Sequence, residues 1–247
     1  DIIKMMVGRT VFIEPKTKSQ VPEGAKVLLR CEHLNRGKFV QDVSFEVHAG
    51  EIIGFSGLMG AGRTETARLI FGADKMDSGK IFIDGKEVAI KSPKDAVAHG
   101  IGYLWEDRKR FGLLVDKSVE ENTVIASLSK FISSMNFIDQ NKTEEVSKEY
   151  VKELKTKTPS VKQIIKKLSG GNQQKVVIAK WLSDGSDILI FDEPTRGIDV
   201  GAKSEIYALM ESLAKQGKAI IMISSELPEI LRMSDRVAVM CEGKLTG

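Results

Sequence analysis

The octet Gly57-Leu58-Met59-Gly60-Ala61-Gly62-Arg63-Thr64 holds a glycine, four free positions, another glycine, a basic residue and a hydroxyl. This is the spacing of a loop that cradles phosphates, with Arg63 where the pattern has lysine. Glu51-Ile52-Ile53-Gly54-Phe55-Ser56 reads as a short buried strand leading into it, and Thr64 to Phe71 as the helix that follows, stopped by Gly72. A glycine turn at a helix N-terminus gathers backbone N–H groups and the positive end of the helix dipole into an anion site. Thr64 stands where its hydroxyl reaches a magnesium ion. A glycine-rich strand-to-helix turn without a ligand is the alternative that the octet alone leaves open.

At 247 residues and 42% hydrophobic content, the chain makes one large domain or two modest ones with an ample core. The formal charge of +3, from 37 basic and 34 acidic residues, argues for neither nucleic acid nor an anionic membrane surface. Arg108-Lys109-Arg110 and Lys166-Lys167 read as solvated faces. Cys31 and Cys241 have no partner at metal or redox spacing and read as ordinary thiols in a reducing compartment. No apolar run approaches the ~20 residues that span a bilayer, and no signal peptide is visible, so work at a membrane would need other chains to cross it. Asp1 in place of methionine suggests a fragment.

Lys16 to Gly24 is polar, punctuated by Pro22, and reads as a linker. Val27 to Arg30 and Val43 to Val47 are strand-like, and His48-Ala49-Gly50 turns into the strand before the loop. Asp84-Gly85 between Lys80–Ile83 and Lys86–Ala89 is a hairpin signal. Ser92-Pro93 opens a short helix through His99, and Ile101 to Leu104 is another strand. From Asp107 to Lys167 helical patterns replace strands, notably Glu120 to Phe131 and Thr143 to Lys155. Strands return at Asp187–Phe191, Lys218–Ser224 and Arg236–Met240, separated by helices around Gly201–Lys215 and Leu227–Met233. Apolar strands alternating with helices imply an α/β fold with a parallel sheet covered on both faces.

Two further motifs carry chemistry. Ile188-Leu189-Ile190-Phe191-Asp192-Glu193 is a buried strand ending in two carboxylates, at the sheet edge where ligands bind. We assign Asp192 to magnesium and Glu193 to an attacking water; as a lone motif the pair could simply cap the next turn. Leu168-Ser169-Gly170-Gly171-Asn172-Gln173-Gln174-Lys175 opens a helix running through Trp181, whose first amides sit at a positive helix end.

Taken together, these motifs resemble those of ATP-binding cassette ATPases, the signature sequence of that family being matched by Leu168 to Lys175. The likeness covers roughly Val27 to Gly247. It is closer still to the second cassette of bacterial ribose- and galactose-type sugar importers, on Ser56 to Thr64, Glu106 to Arg110, Leu168 to Lys175 and Asp192 to Lys203, while Met5-Met6-Val7-Gly8-Arg9 resembles the tail of a first cassette.

The resemblance implies a P-loop NTPase of the ABC type with a mainly parallel core sheet, an N-terminal antiparallel β portion and a helical subdomain at about residues 107–167. Residues 1–24 are then the tail of a preceding cassette plus linker, and 25–247 the nucleotide-binding domain. ATP and magnesium are the implied cofactors, with Glu193 catalytic, Thr64 and Asp192 on the metal, and Ser56, Gly57, Leu58, Met59, Gly60, Ala61, Gly62, Arg63 and Thr64 around the phosphates. Glu106 stands where most cassettes have glutamine, Asp199 in the loop that crosses the cassette interface, and Ser225 where the family has a phosphate-sensing histidine, a position that none of His33, His48 or His99 occupies. Ser169, Gly170, Gly171 and Asn172 would serve the ATP site of a partner, because cassettes pair head to tail. Phe39 is the nearest aromatic for adenine, although an ordinary loop role suits it better.

Arginine is longer and planar where lysine is a compact point charge, so Arg63, with Glu106 and Ser225, points to binding more than fast turnover. The implied function is the ATP-binding C-terminal half of a monosaccharide importer, peripheral on the cytoplasmic face of the membrane. Its implied partners are an N-terminal cassette of the same polypeptide, membrane permease subunits and, indirectly, a periplasmic-type sugar-binding protein, with no nucleic acid. Asp107 to Asn122 would receive the permease. The alternative is a catalytically inactive nucleotide-binding regulatory module. A DNA-repair cassette would need a long coiled-coil insert, for which the interval from Thr64 to Leu168 is too short.

Overall fold

The computed structural model describes residues 15–17, 19–133 and 136–247. The expected tail at Met5 to Arg9 lies outside the described residues. In chain order the regular elements are β1 (Val27–Arg36), β2 (Val40–His48), β3 (Ile52–Ser56), α1 (Arg63–Ile70), β4 (Ser78–Ile83), β5 (Lys86–Val88), α2 (Pro93–Ala98) and β6 (Ile101–Leu104). They continue with α3 (Val119–Val124), α4 (Gln140–Glu153), α5 (Gly170–Asp184), β7 (Ile188–Asp192), α6 (Val200–Lys215), β8 (Ala219–Ile223), α7 (Leu227–Met233), β9 (Arg236–Cys241) and β10 (Lys244–Leu245).

Period-2 alternation builds a four-stranded antiparallel sheet in the order β2-β1-β4-β5. Leu29, Cys31, Val43 and Val47 bury one face of it while Arg30, Glu32 and Ser44 stay outside. The β4–β5 hairpin turns on Asp84 and Gly85, both at positive φ (53° and 78°), as the two-residue Asp-Gly loop requires. Continuous apolar runs build the second sheet, in the order β10-β9-β3-β8-β7-β6, parallel except for β10. Every residue of β7 and β8 is buried, as expected of strands covered on both faces, and each Ile or Leu so buried contributes roughly 1.5–3 kcal/mol. Phe45 of β2 meets Phe55 of β3 edge to face at 5.0 Å, joining the two sheets. At Gly54 a Cβ would lie 2.0 Å from the Ser234 hydroxyl, so the segment ending α7 rests directly on the β3 backbone.

The helical segments differ from expectation in instructive ways. Glu120 to Phe131 is not one helix: α3 begins at Val119, where Ser118 and Glu121 form a reciprocal capping box, and gives way to a 3-10 helix over Ile125–Phe131. The break falls at Ser127, whose φ and ψ of −107° and 16° leave the helical region while its hydroxyl meets that of Ser183 on α5 at 2.8 Å. Helix α4 starts earlier than Thr143, at Gln140, because Asp139 accepts from the Lys142 amide, and Lys155, at φ 51°, lies beyond its end. Helix α5 runs past Trp181 to Asp184 and stops at Gly185 in the left-handed conformation. Arg108–Gly112 forms a π-helical turn capped by Asp107. Lys16 and Gln20, in the stretch read as a linker, dock on the end of α7: the Asp235 carboxylate accepts from the Gln20 amide at 2.9 Å and the Ile52 amide at 3.0 Å, and pairs with Lys16 at 2.7 Å.

Candidate nucleotide site

Because β3, β8, β7 and β6 are neighbours in that order, their carboxyl ends open on one edge of the sheet. Gly57 to Glu65, Glu106, Glu193, Thr195 to Ile198, Lys203, Ser225 and Glu226 line a cleft of about 840 Å³ there. Ser56 ends β3 behind this lining, and Asp192 lies beneath it, 1% exposed.

Glycine is obligatory at both ends of the loop. Gly62, at φ 101°, is the N-cap of α1, and a Cβ on it would fall 2.4 Å from the Phe39 carbonyl oxygen. Gly57, at φ 153°, leaves the same 2.4 Å to the Met240 carbonyl oxygen. The turn between β9 and β10 braces the loop, the Gly243 amide donating to Ala61 at 2.9 Å. Leu58 and Met59 stand out from it, 84% and 98% exposed.

Beyond the glycines the loop is tied to the strand ends facing it. The Thr64 hydroxyl donates to Asp192 at 3.2 Å, and the Tyr103 hydroxyl to the other oxygen of that carboxylate at 2.7 Å. Burial pushes the Asp192 carboxyl up to about 6, against those two hydrogen bonds. A buried carboxylate beside a hydroxyl is an all-oxygen pair of the kind a hard divalent cation takes, and such a cation would relieve the cost of ionising it. No cluster of three or more His, Cys, Asp or Glu side chains suits a metal among the described residues, so a cation here would complete its shell with water or phosphate oxygens. Glu193 adopts a φ of 48°, costly for a side-chain-bearing residue and concentrated at functional sites. Burial raises its pKa while the Ser225 hydroxyl, donating at 3.2 Å, opposes the rise. Arg63 sends its Nη1 to the Ser224 carbonyl at 2.7 Å, which a shorter lysine head would not reach in the same way.

Around the rim, Glu106 pairs with Arg196. Arg108 donates to the Arg196 carbonyl at 3.0 Å and Gln173 Oε1 at 3.4 Å, linking the β6 end, the segment after β7 and helix α5.

A family model described as ABC transporter matches residues 40–196. The chain belongs to the ABC transporter family. It is 56% identical over its whole length to a Burkholderia ambifaria protein named "Putative ribose/galactose/methyl galactoside import ATP-binding protein 3", covering 48% of that protein. It is 55% identical over its whole length to a protein of the same description from Rhizobium etli, covering 46% of it. The chain thus spans about half the length of the curated relatives it matches. Among solved structures, the ADP conformation of an ATP-binding cassette of an ABC transporter aligns with a TM-score of 0.76 and 23% identity, over 90% of each chain, which fixes the fold as that of an ABC-type P-loop NTPase.

Within this ABC fold, the expected signature residues do not join the loop. Ser169 to Asn172 are absent from the cleft lining, and Asp199 caps α6 by accepting from the Ala202 amide at 3.0 Å. Ser169 starts α5 without capping it through its side chain; its exposed hydroxyl accepts instead from Asn172 Nδ2 at 2.9 Å. A Cβ on Gly171 would lie 2.9 Å from the Ala202 Cβ, which favours glycine there, whereas the atom nearest a Cβ on Gly170, Arg108 Nη2 at 2.7 Å, is the movable end of a long side chain. Phe39 is half exposed and is not among the cleft-lining residues.

Tyr103 lies outside the sequence motifs and Arg108 and Arg196 lie inside them without an expected role, yet all contact site residues. Arg108, read with Lys109 and Arg110 as a solvated face, is instead partly buried and held by the Arg196 carbonyl and Gln173. The signal for Tyr103 was available: a tyrosine inside an otherwise apolar strand has to place its hydroxyl on a partner.

Proposed function

We propose that this chain is the C-terminal cassette of a two-cassette sugar importer, binding Mg-ATP in the Gly57–Thr64 cleft and presenting Ser169 to Asn172 to the ATP bound by a preceding cassette. The separation of loop and signature within one chain carries this reading, since each motif then needs a second cassette to complete its site. Coverage of about half of each relative supports the pairing, and the sugar import in the relatives' names supports the substrate class. On this reading residues 25–247 are the nucleotide-binding domain, 107–167 its helical subdomain, and 1–24 a linker with the tail of the first cassette. No helix among the described residues is long and apolar enough to cross a membrane, so permease subunits would supply the pore and hold the cassettes at the cytoplasmic face.

In the site, loop amides and Arg63 would hold the phosphates, Thr64 and Asp192 the magnesium, and Glu193 a water in line with the terminal phosphate. Magnesium would neutralise developing charge on the phosphate oxygens. Ser225 would orient Glu193 without offering the second cationic donor that a histidine provides. Arg63, held on Ser224, is a weaker transition-state contact than lysine, so the cleft binds better than it turns over. The isolated chain should bind Mg-ATP and hydrolyse it far below the ~10 s⁻¹ typical of enzymes. Steady-state release of phosphate by purified chain tests this, and turnover near that rate would overturn the weak-site assignment. A regulatory module that binds without catalysing is the second reading; detectable single-turnover hydrolysis lost in Glu193→Gln would exclude it.

A further inference from the structure

Helix α7 buries a carboxylate that no step above uses. Glu229 is 1% exposed, a depth at which an ionised group persists only when its oxygens are paired. Its Oε1 accepts from the Thr195 hydroxyl at 2.7 Å, the Lys203 ammonium at 3.0 Å and the Tyr207 hydroxyl, and its Oε2 from the Ser224 hydroxyl at 2.9 Å. The donors come from the segment after β7, from α6 and from the end of β8. Thr195 and Lys203 line the cleft, and Ser224 adjoins it. Thr195 follows Glu193 by two positions, and Ser224, whose carbonyl takes the Arg63 guanidinium at 2.7 Å, precedes the Ser225 that donates to Glu193 at 3.2 Å.

An apolar side chain could fill this space without the desolvation cost of a charge. What the carboxylate adds is direction, because each donor has to point at one of two fixed oxygens. We propose that Glu229 is a positioning residue of the nucleotide site, locking the Ser224–Ser225 turn to the Thr195 segment so that Ser225 stays on Glu193 and the Ser224 carbonyl on Arg63. This rests on the reading of the cleft as a nucleotide site, in which the terminal phosphate of a nucleoside triphosphate is the part nearest Ser225. Glu229 then sets the preference for a triphosphate over a diphosphate while touching neither.

The test is the dissociation constant of the whole chain for Mg-ATP and for Mg-ADP, in wild type, Glu229→Gln, Ser225→Ala and the double variant. Losing the hydrogen-bonded charge should weaken ATP binding about tenfold and ADP binding less than about twofold. Because Glu229 acts through Ser225, the double variant should be no worse than the stronger single one, within about twofold. Equal losses for ATP and ADP, or fully additive losses, would mean that Glu229 only stabilises the fold and would overturn the proposal. If Glu229→Gln does not fold, Ser224→Ala removes one donor to Oε2 and should cut ATP preference about threefold; an unchanged preference overturns the proposal equally. Wild-type chain that binds neither nucleotide would sink the nucleotide-site reading, and this proposal with it.

Discussion

The phosphate loop and the signature helix are both glycine-led helix starts, but their glycines answer different demands. Gly62 is fixed by its own backbone, at φ 101° with a carbonyl oxygen where a Cβ would go. Gly170 and Gly171 open their helix without a positive φ, and it is a neighbour, the Ala202 Cβ, that favours glycine at Gly171. The loop is tied across a cleft to the ends of β7 and β8, whereas the exposed Ser169 leads a helix start that lies off that cleft. One start faces the ends of other strands of its own chain and the other lies off that cleft; on the proposed reading a second cassette completes both.

The contrast can be broken most severely at Gly62. Gly62→Ala should weaken Mg-ATP binding by the isolated chain about a hundredfold, from strain plus the clash with Phe39, and calorimetric titration reads it. An intact affinity would show that the loop conformation does not matter. Next comes Thr64→Val, which removes the hydroxyl on Asp192 and should lower the affinity gain that magnesium gives ATP about tenfold. No change in the magnesium dependence would remove Thr64 and Asp192 from the metal.

A separate effect, on stability and not on binding, belongs to the signature helix. Lys180 of α5 donates to the Gly112 carbonyl at 2.8 Å, and burial pushes its ammonium down from 10.5 to about 8. The unfolded chain therefore binds more protons between those values, so stability rises with pH across the window and is lost as pH falls back through 8. The full span is about 3 kcal/mol at most. Lys180→Met should flatten that slope in denaturant titrations at pH 8 and 10; an identical slope would place the lysine in water.

Much of this was legible in the sequence because it is local. The octet with its flanking strand and helix, the Asp84-Gly85 hairpin and the apolar strands each follow from short-range spacing, and the family likeness adds the sheet they share. Hydrogen bonds between distant segments were not legible. Ser127 breaks a helix to reach Ser183, Tyr103 supports Asp192 from a strand that reads as plain core, and Glu229 looks like a surface helix residue until α6 and β8 fold over it. Arg63 was legible as a departure, but its grip on the Ser224 carbonyl was not, since nothing near it in sequence names that partner.

The claim that one chain divides its loop and its signature between two sites is tested most directly in a full-length two-cassette protein carrying this chain. ATP hydrolysis by Ser169→Arg should be compared with that by Arg63→Ala. Ser169→Arg should fall to about 1% of wild type, because it blocks the site whose loop lies on the other cassette, while Arg63→Ala keeps more than about a tenth. The reverse order, or equal losses, would contradict the division.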